Sequence, residues 1–243
     1  MTWKRTSVRA AGWLLAMSLL ATPALAQWTG KGEAGMALAN GNTDSTSANA
    51  RIAFAHKHEK WEESGLLAGN YVRSDGETTA RRWEAGLQER YEFSGRTFWY
   101  GGARYEEDDF SGFNYQAVLS TGLGRKFIDE ERTKFSGQIG VGYKRFEIAG
   151  VPPAPDETDS NLAGVATLDF NHQFNDATSV YDKFTSEVTS ENNYLQNEIG
   201  LQVKMTGRLL IVLAYQVRHN TDPPAGFRKT DTLTTVNLAY EVK

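Results

Sequence analysis

The sequence predicts an all-β fold: a transmembrane antiparallel up-and-down β-barrel of about twelve strands, set in a bacterial outer membrane. Three observations lead there. Apolar side chains recur at every second position in runs of roughly ten residues between Gln27 and Lys243, which is the period of a strand. Short polar or Gly-rich segments close each run, and a secretory leader precedes them all.

The leader occupies residues 1–26. Lys4, Arg5 and Arg9 form a basic start without acid, Ala10 to Leu20 is an apolar stretch, and Ala24-Leu25-Ala26 is an A-x-A cleavage site. The apolar stretch is shorter than the ~20 residues of a spanning helix, so cleavage before Gln27 is expected rather than anchoring. The barrel is then assigned to residues 27–243 as one domain, since no linker or low-complexity tract divides them.

Loss of the leader lowers the 26 Lys and Arg to 23 against 30 Asp and Glu, a net charge of −7. An acidic chain disfavours nucleic acid as a partner, because phosphate neutralisation needs a basic surface. No cysteine is present, which excludes disulfides and thiolate zinc sites. No apolar run after residue 26 is long enough for a membrane helix, whereas a barrel needs only alternate residues to meet lipid.

The strands are expected at 28–39, 46–57, 61–73, 78–93, 97–107, 113–127, 132–147, 160–174, 178–190, 194–206, 208–219 and 230–242. In the fourth, Trp83, Ala85, Leu87, Glu89, Tyr91 and Phe93 alternate with Arg82, Glu84, Gly86, Gln88, Arg90 and Glu92, one face for lipid and one for water. The sixth sets Phe113, Tyr115, Leu119, Leu123 and Phe127 against Asn114, Gln116, Ser120 and Lys126. In the tenth, Leu195, Ile199, Leu201, Val203 and Met205 oppose Gln196, Glu198, Gln202 and Lys204, and Val236, Leu238, Tyr240 and Val242 line one face of the last. Residues 62–73 fit either register, and 208–218 carry apolar groups on both faces.

A soluble sandwich or lipocalin-like barrel would alternate too. Three details favour the membrane: an even count of strands longer than the ~5–6 residues usual in soluble sheets, connections that alternate between longer and shorter, and aromatic residues near both ends of the runs. One aromatic group comprises Trp61, Phe93, Phe98, Trp99, Tyr100, Phe127, Phe135, Phe170, Phe174 and Tyr181 beside the short turns. Tyr71, Tyr105, Phe113, Tyr115, Tyr143, Phe146, Tyr194 and Tyr215 form the other, towards the long loops. With both termini in the periplasm, every odd-numbered connection faces outward.

Trp28-Thr29-Gly30, Gly41-Asn42-Thr43-Asp44, Asp75-Gly76-Glu77-Thr78-Thr79-Ala80, Arg104-Tyr105-Glu106 with Asp109-Phe110-Ser111-Gly112-Phe113-Asn114-Tyr115, and Gly122-Leu123-Gly124 resemble the domain-of-unknown-function family 481 (DUF481), the YdiY-like salt-induced outer-membrane proteins. The resemblance covers almost the whole chain after the leader. It implies an outer-membrane barrel and brings no catalytic residues. A departure is the ending Tyr240-Glu241-Val242-Lys243, where outer-membrane barrels commonly finish on an aromatic residue.

No catalytic, cofactor-binding or metal-binding residues are assigned. His219 with Asp222 and either Ser111 or Ser190 could be assembled on paper into a hydrolytic site on lipid, but a rim histidine without a catalytic task is the simpler reading. His56, His58 and His172 fall near the short turns. The longer loops hold Asp44, Asp75, Glu77, Glu106, Glu107, Asp108, Asp109, Asp156, Glu157, Asp159, Glu191 and Asp222, which keep them soluble or share divalent cations with lipopolysaccharide. Glu106 to Asp109 reads as a charged hairpin tip, the alternative being a segment that folds inward over the lumen.

Arg51, Arg82, Glu84, Gln88, Arg90, Glu92, Asn114, Gln116, Lys126, Gln138, Lys144, Gln196, Glu198, Gln202 and Lys204 are expected to face the lumen, where opposite charges should pair across a barrel narrower than the 16 to 18 strands of wide porins. The expectation is a non-enzymatic barrel with a structural or envelope-stress role and low-conductance passage of small solutes. Its partners are outer-membrane lipids, lipopolysaccharide and, during biogenesis, the barrel-assembly machinery. A lipid-acting membrane enzyme and a soluble periplasmic binding barrel are the competing readings.

Overall fold

The computed structural model describes residues 27–39, 45–109, 111–150 and 155–242. The expected leader lies outside them. Twelve strands follow one another: β1 (Gln27–Ala39), β2 (Ser45–His58), β3 (Trp61–Ser74), β4 (Glu77–Ser94), β5 (Thr97–Asp108), β6 (Phe113–Asp129), β7 (Thr133–Ile148), β8 (Glu157–Gln173), β9 (Thr178–Val188), β10 (Tyr194–Lys204), β11 (Leu209–Asn220) and β12 (Thr230–Val242). Each pairs antiparallel with its sequence neighbours, and β1 pairs with β12 to close the barrel. Closure joins the two edge strands, and pairing of edges is what lets a sheet cross lipid without orphaned backbone groups.

The period-2 pattern forms the wall. Leu87, Leu119, Ile139, Val141, Leu162 and Val236 are all more than 60 % exposed, while Arg82, Glu84, Gln116, Gln138, Lys144 and Glu198 are buried. An apolar exterior around a polar interior is the inverse of a soluble fold. The barrel is therefore a membrane-spanning one.

Its two ends differ. Glu59–Lys60, Gly95–Arg96, Glu130–Arg132, 174–177 and 205–208 close one end, here the turn end. The loop end is where β1, β5, β7, β9 and β11 finish, and it carries 189–193 and 221–229 together with Asp75–Gly76, which is shorter than the alternation expects. Asp75 and Gly76 both have positive φ (50° and 85°), the type I′ geometry whose twist matches an antiparallel pair and allows a two-residue connection.

The closing seam is short, running only from Gly30↔Val242 to Ala34↔Leu238. Beyond it the wall is held by side chains. Asn49 Nδ2 donates to Asn237 Oδ1 at 2.6 Å, directly over Gly35, where a Cβ would lie 2.3 Å from the same Asn237 oxygen. Glycine at 35 is what allows this staple.

Register shifts correct several facings. A bulge between Phe113 and Tyr115 in the β6–β7 pair turns Phe113 inward, 3 % exposed against Phe146, and turns Asn114 outward to donate to Glu147 at 3.0 Å. Asn114 therefore does not face the lumen, and Phe113 is not on the lipid face. The ambiguous 208–218 segment resolves with Leu210 and Val212 packed inward beside Ala239 and Tyr181.

Candidate functional site

The lumen is the candidate site, and its two halves are built differently. In the loop half, alternation along β4, β5, β7, β9 and β11 projects Arg82, Arg104, Lys144 and Arg218 inward with Glu84, Glu106, Asp108 and Glu187, four cations with four carboxylates. Glu106 is the hub. Its carboxylate accepts from Arg82 at 2.9 Å, from Arg104 at 2.8 Å and lies 3.5 Å from Arg218, while Arg82 also meets Glu84. Arg104 Nη2 donates to Glu187 at 2.6 Å, and Lys144 Nζ sits 3.1 Å from the other Glu187 oxygen. Tyr194 fills the centre, its ring under Arg104 at 4.8 Å and Lys144 at 5.3 Å.

One contact defines this layer. Arg218 on β11 donates to Asp108 on β5 at 2.8 Å, and six strand positions separate β5 from β11, half the ring. A circular ring of strands ~4.8 Å apart and tilted about 40° would measure roughly 24 Å between opposite backbones, more than an Arg and an Asp side chain reach together. The section is therefore flattened here, and opposite walls meet through an ion pair. Above it, the β11–β12 loop folds across the end: Pro224 and Phe227 lie so close to Gly112, between β5 and β6, that a Cβ there would be 2.9 and 2.7 Å from them. With φ at +82°, Gly112 serves both the turn and the approach.

The turn half is looser. A cavity of about 390 Å³ occupies the lumen below the charged layer. Arg90 reaches across it without close ion pairing, 3.7 Å from Glu62, 3.6 Å from Asp169 and 3.3 Å from Gln138, with its guanidinium 4.9 Å over the Phe98 ring. Arg51 closes one side on Glu198 at 2.8 Å, which also takes Tyr181 and Gln216 at 2.9 Å each. A wider mouth of about 470 Å³, with Lys31, Lys204 and Asp176 on its walls, adjoins at the turn end.

Several expected positions require correction. Glu106 to Asp109 is not a hairpin tip: Glu106 and Asp108 belong to β5 and point inward, Glu107 turns out to Trp83 at 2.8 Å, and Asp109 pairs with Arg81 on the exterior. Phe98, Tyr100, Phe113, Phe146 and Tyr194 are 1–3 % exposed inside the lumen rather than in aromatic belts. Tyr181, bonded to Glu198, also faces inward. Trp61, Trp99, Phe127, Phe135 and Phe170 remain on the wall's outer side, with Phe127 5.2 Å and Phe170 6.3 Å from Phe135.

Each residue of the hypothetical hydrolytic set bonds to a group outside the set. His219 Nδ1 is 2.8 Å from Thr230 Oγ1, Ser111 donates to the Asp108 carbonyl, Ser190 approaches Asn161 at 3.5 Å, and the Asp222 amide is taken by Asn192. Of the loop acids, Asp156 accepts from the Gly150 amide and Glu191 from Asn161. Sequence reasoning had no signal for Tyr194 or Arg218 as parts of one layer, because their partners lie across the barrel.

Comparison with known proteins gives an uncharacterized curated relative and solved barrels of low identity. The chain is 25 % identical over 215 residues to the uncharacterized protein YdiY of Escherichia coli (strain K12), covering 86 % of this chain and 81 % of that one. Among solved structures, the translocator domain of autotransporter NalP from Neisseria meningitidis superposes with a TM-score of 0.46 at 10 % identity, over 89 % of this chain and 87 % of that one. The KdgM porin does so with a TM-score of 0.45 at 8 % identity, over 89 % and 100 % respectively. A family model described as "Protein of unknown function, DUF481" matches residues 32–242, and the chain belongs to that family.

Proposed function

We propose that this chain is a non-enzymatic barrel of the bacterial outer membrane, exported by a cleaved leader at residues 1–26, whose lumen is closed at rest by the charged layer and passes only small solutes at low conductance when that layer parts. The turn end faces the periplasm, and the loop end faces lipopolysaccharide. The observation that carries the reading is the Arg218–Asp108 contact between opposite walls. A charge-balanced layer offers no net field to select ions, and opening it separates paired groups rather than moving a domain.

The test is single-channel recording on barrels refolded from Gln27 onward. Wild-type protein should stay closed or show rare, small steps, and Arg218→Met should raise open probability and step size together. Wide, steady wild-type currents that Arg218→Met leaves unchanged would refute the closure. An envelope role in salt stress, which the resemblance implies, predicts a growth defect of deletion strains in high salt; normal growth counts against it.

A further inference from the structure

The cavity below the charged layer carries one charge that the barrel itself does not use. Its walls hold Arg51, Arg90, Arg104 and Lys183 with Glu62, Glu84, Asp169, Glu187 and Glu198. Every one of these except Lys183 has an ion-pair partner among the described residues. Lys183 has acids on both sides in register, Asp169 on β8 and Glu198 on β10. Both are turned elsewhere: Asp169 towards Arg90, Glu198 towards Arg51, Tyr181 and Gln216. The ammonium is left facing the cavity.

Beyond those two acids, the surfaces near Lys183 include neutral hydrogen-bonding groups. Thr185 follows Lys183 on the same face of β9 and pairs in register with Thr167 on β8, while Gln138, Gln196 and Ser120 border the same space. A volume near 390 Å³ holds one small solute of about a dozen heavy atoms, at the lower end of ordinary ligand sites. One cation without an ion pair among the described residues, near hydroxyls and amides in a wall that also holds paired carboxylates and apolar groups such as Val118 and Val165, matches a solute with one negative charge and several hydroxyl groups.

We infer that the lumenal cavity is a binding site for a small hydroxylated monoanion, its carboxylate held by Lys183 and its hydroxyls by Thr167, Thr185 and Gln138. This goes beyond passage through the barrel, since a site open towards the wide mouth can fill from that end while the charged layer stays shut. The layer's ion pairs then serve as the roof of the site. Arg90, loosely held by Glu62 and Asp169, is the group best placed to move aside as the solute enters.

Isothermal titration of the refolded barrel in detergent tests this with gluconate as the monoanion and sorbitol as its uncharged counterpart. Gluconate should bind saturably at one site per barrel, sorbitol at least tenfold more weakly, and Lys183→Gln should lose gluconate affinity by at least tenfold. Thr167→Val with Thr185→Val should weaken gluconate several-fold while leaving the response to acetate, which lacks hydroxyls, unchanged. Heat-modifiable gel migration identifies folded variants, so loss of binding is read only on intact barrels. No saturable heat with gluconate, equal binding of sorbitol, or unchanged affinity in Lys183→Gln would each overturn the assignment. None of these readouts depends on conductance, so failure here is distinguishable from failure of the proposed closure.

Discussion

The loop half and the turn half of the lumen are lined by the same kinds of residue, yet one is a packed core and the other an open cavity. The difference lies in commitment. Above, Glu106 is shared by Arg82, Arg104 and Arg218, and Tyr194 is clasped between Arg104 and Lys144. Below, Arg90 stands 3.6–3.7 Å from its acids, and Lys183 makes no ion pair among the described residues, its in-register neighbours Asp169 and Glu198 being turned to arginines. Charges buried deeply must be paired, whereas charges that keep water need not be. The lumen of a narrow barrel can therefore hold structure in one half and leave chemistry available in the other.

Removing the hub should break this contrast most strongly. Glu106→Leu leaves three arginines sharing Glu84, Glu187 and Asp108 in a site where Glu106 was 2 % exposed. Breaking a buried network from one side typically costs about 3–5 kcal/mol. Urea titration of the folded fraction, read by heat-modifiable migration, should show a loss of that size. A change within ~1 kcal/mol would mean that the layer is hydrated and that the two halves do not differ as described.

Backbone approach also differs from place to place around the wall, independently of height in the barrel. Gly140 faces Gly122 across the β6–β7 pair, and a Cβ at Gly140 would fall 2.1 Å from the Thr121 carbonyl oxygen and 2.6 Å from the Tyr100 hydroxyl. Gly102, on the cavity wall, would meet nothing nearer than the Leu87 carbonyl at 3.5 Å. Gly140→Ala should destabilise by roughly 1–3 kcal/mol through overpacking, and Gly102→Ala should fall within about 0.5 kcal/mol. Equal effects in the same urea titration would remove the distinction between a tight and a roomy wall.

Much of this fold can be read from residue order, because a barrel wall has two unlike sides. Arg82, Glu84, Gln88 and Arg90 alternate with Trp83, Leu87 and Tyr91, which marks a strand with one polar and one apolar side, and the strand count and lengths then favour lipid outside. The site is less legible for the same reason. Alternation says which side a residue is on, not what it meets across the lumen, and Arg218 finds Asp108 half a ring away. Strand β5 adds a second difficulty: Phe98 and Tyr100 point in while Trp99 and Tyr105 point out, so aromatic content on both faces hides which is the core. Four consecutive acids at 106–109 look like a loop until β5 takes up the first three and sets Glu106 and Asp108 inward. Bulges act locally, and the one at Phe113 to Tyr115 reverses two assignments that simple counting makes wrongly.

The smallest expected effect is the sharpest test of the turn half. Arg90 and its acids are partly exposed and loosely spaced, 23 % for the Arg90 side chain against 36 % and 39 % for Glu62 and Asp169. Solvent-screened pairs of this kind contribute ~0–1 kcal/mol, so Arg90→Gln should leave the urea midpoint nearly unchanged. The same substitution should raise gluconate's on-rate by widening the way past Phe98, since the arginine is the side chain that crosses the cavity's lower side. A destabilisation as large as that of Glu106→Leu would make Arg90 the hub of a second closed layer, and the cavity would then be sealed from both ends rather than open to one.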